Sequence, residues 1–373
     1  MVENRTFGDL GILALRSTKE LSRKIDTELK ARREFRDGAI NQDTYILNVN
    51  EVRFSNGEAK FKLAETVRGK DVYIICDIGN YSCTYSVYGF ENHMGPDEHF
   101  QDIKRALSAI GGKSRRTTVI MPLLYASRQH RRKGRESLDC ALALQELEKM
   151  GVSDIITFDV HDPNIQNAIP LASFENIYPT YPIVKKIFEH DLTHLADITN
   201  TIVISPDTGA MDRAIYYAGV MGCDIGLFYK RRDYTKIVRG KNPIINHEYM
   251  GPDIKGKNIL IVDDMIASGE SSLDIATELK SRGAEKILIA ASFALFTEGL
   301  SKFDEAYKNN LFDRVYATNL TYVPDEVLAQ EWYLEVDMSK YIAELIDYLN
   351  YDKSISKLMD ATYPIKSLMK KMS

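Results

Sequence analysis

Short apolar runs and amphipathic stretches alternate along the whole chain. Leu10 to Arg16 reads as a strand, and Leu21, Ile25 and Leu29 then mark one face of a helix from about Thr18 to Arg32. A polar stretch, ARREFRDGAINQDTY, interrupts the pattern as a long loop before VRFSNGEAKFKL. Val67 to Cys76 gives a turn and a buried strand. The pattern resumes with a helix from Phe100 to Ile110, a strand from Thr117 to Leu124, a helix from Ser137 to Gly151 and a strand from Asp154 to His161. The second half repeats it: helix Pro179 to His190, strand Thr201 to Ser205, strand Gly222 to Lys230, and strands at Lys286 to Leu295 and Asp313 to Ala317. Strand-then-helix alternation in both halves predicts an α/β protein with two parallel-rich sheets. The expected boundaries are 1–166 for the first domain, 167–340 for the second and 341–373 for a helical tail.

The most informative stretch is NILIVDDMIASGESSLDIATELKSRGA, residues 258–284. Ile259, Leu260, Ile261 and Val262 form a β-branched run typical of a strand buried on both faces. Asp263 and Asp264 stand at its C-terminal end. Ser268, Gly269 and Ser271 then make a tight turn, and Leu273, Ile275, Ala276 and Leu279 recur at helical spacing up to a stop at Gly283. Strand, acidic pair, small-hydroxyl loop and helix together suit a phosphorylated sugar. Backbone N–H groups and hydroxyls at the helix start hold the phosphate, and the carboxylates take ribose hydroxyls or a metal bound to them. The plainer reading is an acidic turn whose serines cap the helix.

Composition narrows the class without choosing the function. The 373 residues suffice for two cores; 44% are apolar, 27% charged, and the net charge is −5. That balance argues against a general nucleic-acid binder. No apolar run approaches the ~18 residues of a membrane span, and MVENRTFGDL lacks the basic and apolar regions of a signal peptide. Cys76, Cys83, Cys140 and Cys223 show no metal-ligand spacing, which fits a cytoplasmic protein. His93 and His99, in a tyrosine-rich segment, read as surface residues.

The wording VDDMIASGES resembles the phosphoribosyl-diphosphate (PRPP) binding motif of the type I phosphoribosyltransferase fold. It is nearest to that of the ribose-phosphate pyrophosphokinases, or PRPP synthetases, which usually read VDDMIDTGGT. Ala267 stands where they carry a third Asp, and Glu270 where they carry a small residue. A carboxylate beside a phosphate is repulsive unless it points away or meets a cation. Further segments match in order. FSNGE resembles the segment that receives the adenine of ATP, implying Phe54 for stacking and Asn56 and Glu58 for hydrogen bonds. By itself FSNG is an Asn-Gly hairpin turn. YASRQHRRKGR resembles YARQDRK and its flexible basic loop, implying that Arg128 and Gln129 contact ATP, with His130 where the family has Asp. Five of the eight residues from Arg128 to Arg135 are basic, which suits a clamp on polyphosphate as well as a solvated loop.

The ending DVH resembles the family's DLH and implies a metal-adjacent His161, supported by Asp159. SPDTGAMDRA resembles SPDVGGVVRA and places Asp207 near the ribose and its metal, with Thr208 and Gly209 in a loop suited to pyrophosphate. The resemblance carries catalytic roles to Lys230 and Arg232 of KRR, whose fixed charges meet the transferring diphosphoryl group. KSISKLM resembles the family's C-terminus, where paired serines, here Ser354 and Ser356, form part of a phosphate-responsive site with Thr66 and Arg68 as contributors.

The resemblance implies two tandem phosphoribosyltransferase-like domains, the first without its own sugar-phosphate motif. It implies a Mg²⁺-dependent ribose-phosphate diphosphokinase acting on ATP and ribose 5-phosphate, assembled as a dimer-based homo-oligomer up to a hexamer. Two alternatives remain open at this point. One is a phosphoribosyltransferase; the other is a catalytically silent regulatory partner of a synthetase, for which Ala267, Glu270 and His130 speak.

Overall fold

The computed structural model describes residues 6–38, 42–132, 134–191, 198–232 and 244–370, with backbone alone at 230–232 and 244–247. It divides into two units, each assembled around its own sheet.

The first unit contains residues 1–178, 319–322 and 337–359. Its core sheet has β1 (Asp9–Ala14), β4 (Lys70–Ile75), β7 (Arg116–Ile120), β8 (Asp154–Phe158) and β9 (Ser173–Ile177), parallel throughout and side by side in chain order. Buried positions run without alternation along β1, β4, β7 and β8, as cover on both faces requires, while β9 is only partly buried. Two hairpins stand apart from this sheet. One is β2 (Val49–Arg53) with β3 (Ala59–Leu63), and the other is β5 (Thr84–Val87) with β6 (Phe90–His93). The helices are α1 (Lys19–Asp37), α2 (Pro96–Ile110) and α3 (Asp139–Lys149). The unit runs past the expected boundary at residue 166 because β9 completes its sheet.

The second unit contains residues 179–318, 323–336 and 360–373. Its strands are β10 (Thr201–Ser205), β11 (Asp224–Arg232), β12 (Ile244–Met250), β13 (Asn258–Ile266), β14 (Lys286–Ala294), β15 (Arg314–Thr318) and β16 (Tyr333–Val336). They lie in the order β12-β11-β10-β13-β14-β15-β16, and only the edge pair β11–β12 is antiparallel. After β10 the chain goes to one side through β11, then returns to the other side of β10 as β13. That reversal is a topological switch point, where ligands of open α/β sheets bind at the strands' carboxyl ends. The first sheet has no such reversal. The helices of this unit include α4 (Thr180–His190), α5 (Met211–Met221), α6 (Glu270–Ser281) and α7 (Ser301–Lys308), followed by the short α8 (Asp325–Leu328).

The expected tail at 341–373 is divided between the units. Helix α9 (Ser339–Asn350) packs against α1 in the first unit, which also holds α10 (Ser356–Met359), while α11 (Thr362–Lys370) belongs to the second. Asp347, 2% exposed, holds α9 in place. Its carboxylate accepts from Arg33 Nε at 2.8 Å, Arg32 Nε at 3.2 Å and Arg36 Nη1 at 2.5 Å. One turn on, Asn350 accepts from Arg33 at 2.7 Å and donates to Asp71 at 2.9 Å and to the Gly8 carbonyl at 2.9 Å. Asp71 also takes a two-pronged contact from Arg116 at 2.8 and 2.7 Å. These pairs explain why α1 continues to Asp37, where a long loop was expected: its last turns are held by guanidinium groups instead of an apolar stripe. Asp77, just beyond β4, is a second stitch, accepting from Thr321 Oγ at 3.1 Å and Tyr322 N at 2.8 Å. Burial pushes its carboxyl up to about 6.

One surface expectation fails. His99 is 1% exposed, on the inner face of α2 with Phe100, Ile103 and Ala106, and its Nε2 meets the Asn80 carbonyl at 2.8 Å. Burial lowers its pKa. His93 is exposed as expected.

Asp347→Ala leaves guanidinium groups buried without their counter-charge, so the expected loss of stability is about 3–5 kcal/mol. Urea denaturation of the full chain checks it; a loss below about 1 kcal/mol would mean that α9 is held by its apolar face alone.

Candidate functional site

The switch point brings two of the expected segments together. Asp207 follows β10, and Asp263 and Asp264 lie at the end of the neighbouring β13. Strand β13 continues through both carboxylates to Ile266, further than its apolar run suggests, because Asp263 and Met265 still pair with β14. Asp264 is buried, and its carboxylate accepts from Met265 N at 2.9 Å; that of Asp263 accepts from Asp264 N at 2.9 Å. Asp263 keeps part of its surface open. Even so, burial holds its carboxyl well above the usual range, with the charges of Asp264 and Asp207 adding and Arg213 opposing. A cation or a hydroxyl-rich ligand would relieve that crowding.

Asp207 also shapes its own loop. Its Oδ1 accepts from Gly209 N at 2.8 Å and Ala210 N at 3.2 Å, just before α5. Arg213, on the first turn of α5, was not singled out from SPDTGAMDRA, although the motif contains it.

The small-hydroxyl loop runs between β13 and α6. Ser268 Oγ accepts from Glu270 N at 3.5 Å, a long contact within the turn, while the cap position itself is Gly269, which makes no side-chain cap bond. Gly269 is left-handed at φ 80°, and a Cβ there would collide with the Phe303 ring, so only glycine fits. Ser271 lies in the first turn of α6. Glu270, the unexpected charge, meets Lys302 Nζ at 2.9 Å, and Lys302 is also 2.8 Å from Glu298. That contact lowers the Glu270 pKa. Thus α7 supplies both the ring that closes the loop and the cation that answers its carboxylate. Lys302 is too far along the chain for the motif to announce it.

In the first unit, Arg128, Gln129 and His161 line one cleft of about 600 Å³ with His130, Arg131 and Asp139. Arg128 and Gln129 sit on a single 3₁₀ turn, Ser127–Gln129, and His161 follows β8. His130 is anchored by the Ser127 carbonyl at 3.0 Å and by Asp162 at 3.3 Å, with its ring 5.4 Å from that of His161. Lys133, part of the expected basic loop, lies outside the described residues. Phe54, Asn56 and Glu58 sit at the β2–β3 turn, and none of them lines this cleft. Phe54 is 47% exposed; Asn56 donates to the Glu58 carboxylate at 3.0 Å and accepts from Glu58 N at 3.1 Å.

Lys230 and Arg232 lie at the end of β11, in register with His247 and Ile244 of β12. Their side chains lie outside the described residues. Ser354 and Ser356 have their hydroxyls 3.0 Å apart, and Thr66 Oγ1 accepts from Arg68 N at 3.2 Å. Among the described residues, no three His, Cys, Asp or Glu side chains converge as a metal cage, and no helix is long and apolar enough to cross a membrane.

Residues 10–151 match the family model for the N-terminal domain of ribose phosphate pyrophosphokinase, and residues 173–319 match the phosphoribosyl transferase domain. Among curated proteins, the ribose-phosphate pyrophosphokinase of Vibrio vulnificus is 28% identical over 311 residues, covering 83% of this chain and 90% of the relative. That of Haemophilus ducreyi is 26% identical over 358 residues, covering 95% and 99%. The solved structure of phosphoribosylpyrophosphate synthetase from Mycobacterium smegmatis superposes with a TM-score of 0.74 at 20% identity, over 92% of this chain and 99% of that one. It shares the fold.

Lys302→Ala should weaken ribose 5-phosphate binding by no more than about fivefold, because exposed charges are screened. Adding Glu270→Gly should restore the affinity. Calorimetric titration of the single and double variants checks the pair, and no recovery in the double variant would show that Lys302 acts independently of Glu270.

Proposed function

The chain belongs to the ribose-phosphate pyrophosphokinase family, and from that premise we propose that it transfers the diphosphoryl group of ATP to the C1 hydroxyl of ribose 5-phosphate. The observation that carries this reading is the placement of the Asp207 loop and the Asp263–Asp264 segment on adjacent strands at the switch point. The 5-phosphate would rest on the N–H groups and hydroxyls of Ser268, Gly269 and Ser271. The ribose hydroxyls would face Asp263, Asp264 and Asp207.

The nucleotide would use the first unit. Arg128 and Gln129 would hold the polyphosphate from one cleft, with His161 beside them, while Phe54, Asn56 and Glu58 would receive adenine at a separate turn. A second copy of the chain joining one cleft to another copy's turn would complete the site, which is why a dimer-based homo-oligomer up to a hexamer is part of the proposal. The donor set fits Mg²⁺: carboxylates crowd at Asp207, Asp263 and Asp264, and their hard oxygens would hold it. Mg²⁺ bound with the triphosphate supplies charge neutralisation.

In the transfer, the C1 oxygen forms a bond to the β-phosphorus, the bond to the α–β bridging oxygen breaks, and AMP leaves with that oxygen. The C1 hydroxyl proton is released. Lys230 and Arg232 would meet the charge on the group in flight, an effect expressed in the transition state. The two unexpected side chains fit an active site: Glu270 has its cation, and His130 is tied down by Asp162.

³¹P spectra of the protein with ATP, ribose 5-phosphate and Mg²⁺ should show AMP and a sugar-bound diphosphate growing together; intact ATP would overturn the reading. Lys230→Ala should lower kcat by about a hundredfold or more, in line with losing one transition-state charge contact. Its ATP affinity should change little, and a variant with normal kcat would remove Lys230 from the mechanism.

A further inference from the structure

The hairpin β5–β6 forms a sheet with nothing but itself, and an isolated two-stranded hairpin is marginal in water. Its fastenings show what it serves. At its tip, the Tyr88 N–H donates to the Ser55 carbonyl at 3.0 Å, inside the FSNG turn. Beside that bond, Val87 approaches so closely that a Cβ on Gly57 would lie 3.4 Å from its methyl. Further down, the Arg53 guanidinium lies over the Tyr85 ring at 5.1 Å and is fixed by Asp102 at 2.7 Å, while Tyr85 OH donates to Glu98 at 2.6 Å. Each of these contacts ties β5–β6 to the β2–β3 hairpin or to α2.

The tip has an unusual residue. Tyr88 and Gly89 both have positive φ, 49° and 83°, the two-residue hairpin turn that favours Asn, Asp or Gly at its first position. A tyrosine there is strained, and at 78% exposure it gains little from packing within the chain. With Phe90 at 74% and Phe54 at 47%, the two joined tips carry three open aromatic rings, and the β2–β3 tip also carries the amide–carboxylate pair of Asn56 and Glu58. Flat π-faces next to one donor and several acceptors match a purine, whose faces stack and whose amine edge hydrogen-bonds.

We propose that the β5–β6 hairpin is part of the nucleotide site, bracing the FSNG turn through the Tyr88–Ser55 hydrogen bond and presenting the Tyr88 ring as a second aromatic contact for the base. The inference rests on the nucleotide role proposed above for Phe54, Asn56 and Glu58, and makes Tyr88 a determinant of base affinity.

Tyr88→Gly tests it without threatening the fold, since glycine keeps the N–H and relieves the positive φ. ADP affinity by calorimetry and the KM for ATP should each weaken about tenfold, the scale of one base–aromatic stack. The KM for ribose 5-phosphate and the thermal midpoint should hold, and Tyr88→Phe should stay near wild type. Unchanged ADP affinity in Tyr88→Gly overturns the proposal. If light scattering then shows a changed mass, the hairpin is a subunit contact instead. Phe54→Ala, measured alongside, separates the failures. If it weakens ADP binding while Tyr88→Gly does not, only the hairpin's role falls. If neither variant does, the nucleotide role of the turn falls too.

Discussion

Three guanidinium groups converge on the carboxylate of Asp347, and the first unit depends on that convergence. Helix α9 belongs to the C-terminal part of the sequence, yet it is packed on α1 near the N-terminus. A buried carboxylate is unfavourable unless its charge and lone pairs are matched, and here Arg32, Arg33 and Arg36 match them from one helix face. Asn350 passes the network to Asp71, and Asp71 to Arg116, so the same set of polar bonds reaches from α9 through β4 to β7. Breaking one member strands several others.

The two units show how similar layers acquire different chemistry. Both have parallel sheets of β-branched strands, but only the second reverses its strand order. At that reversal the loops after β10 and β13 open side by side, and three carboxylates and an arginine gather there. The first sheet runs in one direction, so its polar residues collect elsewhere: on the 3₁₀ turn at Arg128, at the strand end beside His161, and on hairpins outside the sheet.

Much of this was legible because the decisive groups are local in sequence. The run from Ile259 to Leu279 contains its own strand, loop and helix, although the strand runs on past its apolar residues to Ile266. The burial of His99 was missed, although positions 99, 103, 106 and 110 share a helix face. What could not be read depends on partners distant in the chain. Helix α1 outruns its apolar stripe because Asp347 lies 314 residues along the chain from Arg33. Likewise, nothing within VDDMIASGES foretells that Lys302 would answer Glu270, or that Phe303 would demand glycine at 269.

The split membership of the C-terminal segment bears on how the protein is made. The usual order, in which an N-terminal domain emerges from the ribosome and folds while the rest is being translated, is closed to this chain. Its first unit lacks Asp347 and Asn350 until every strand of the second sheet has been translated. Until then the arginines of α1 wait for the Asp347 carboxylate, and Asp71 for the Asn350 amide. The nascent first domain must therefore remain incomplete until the second sheet has been synthesised.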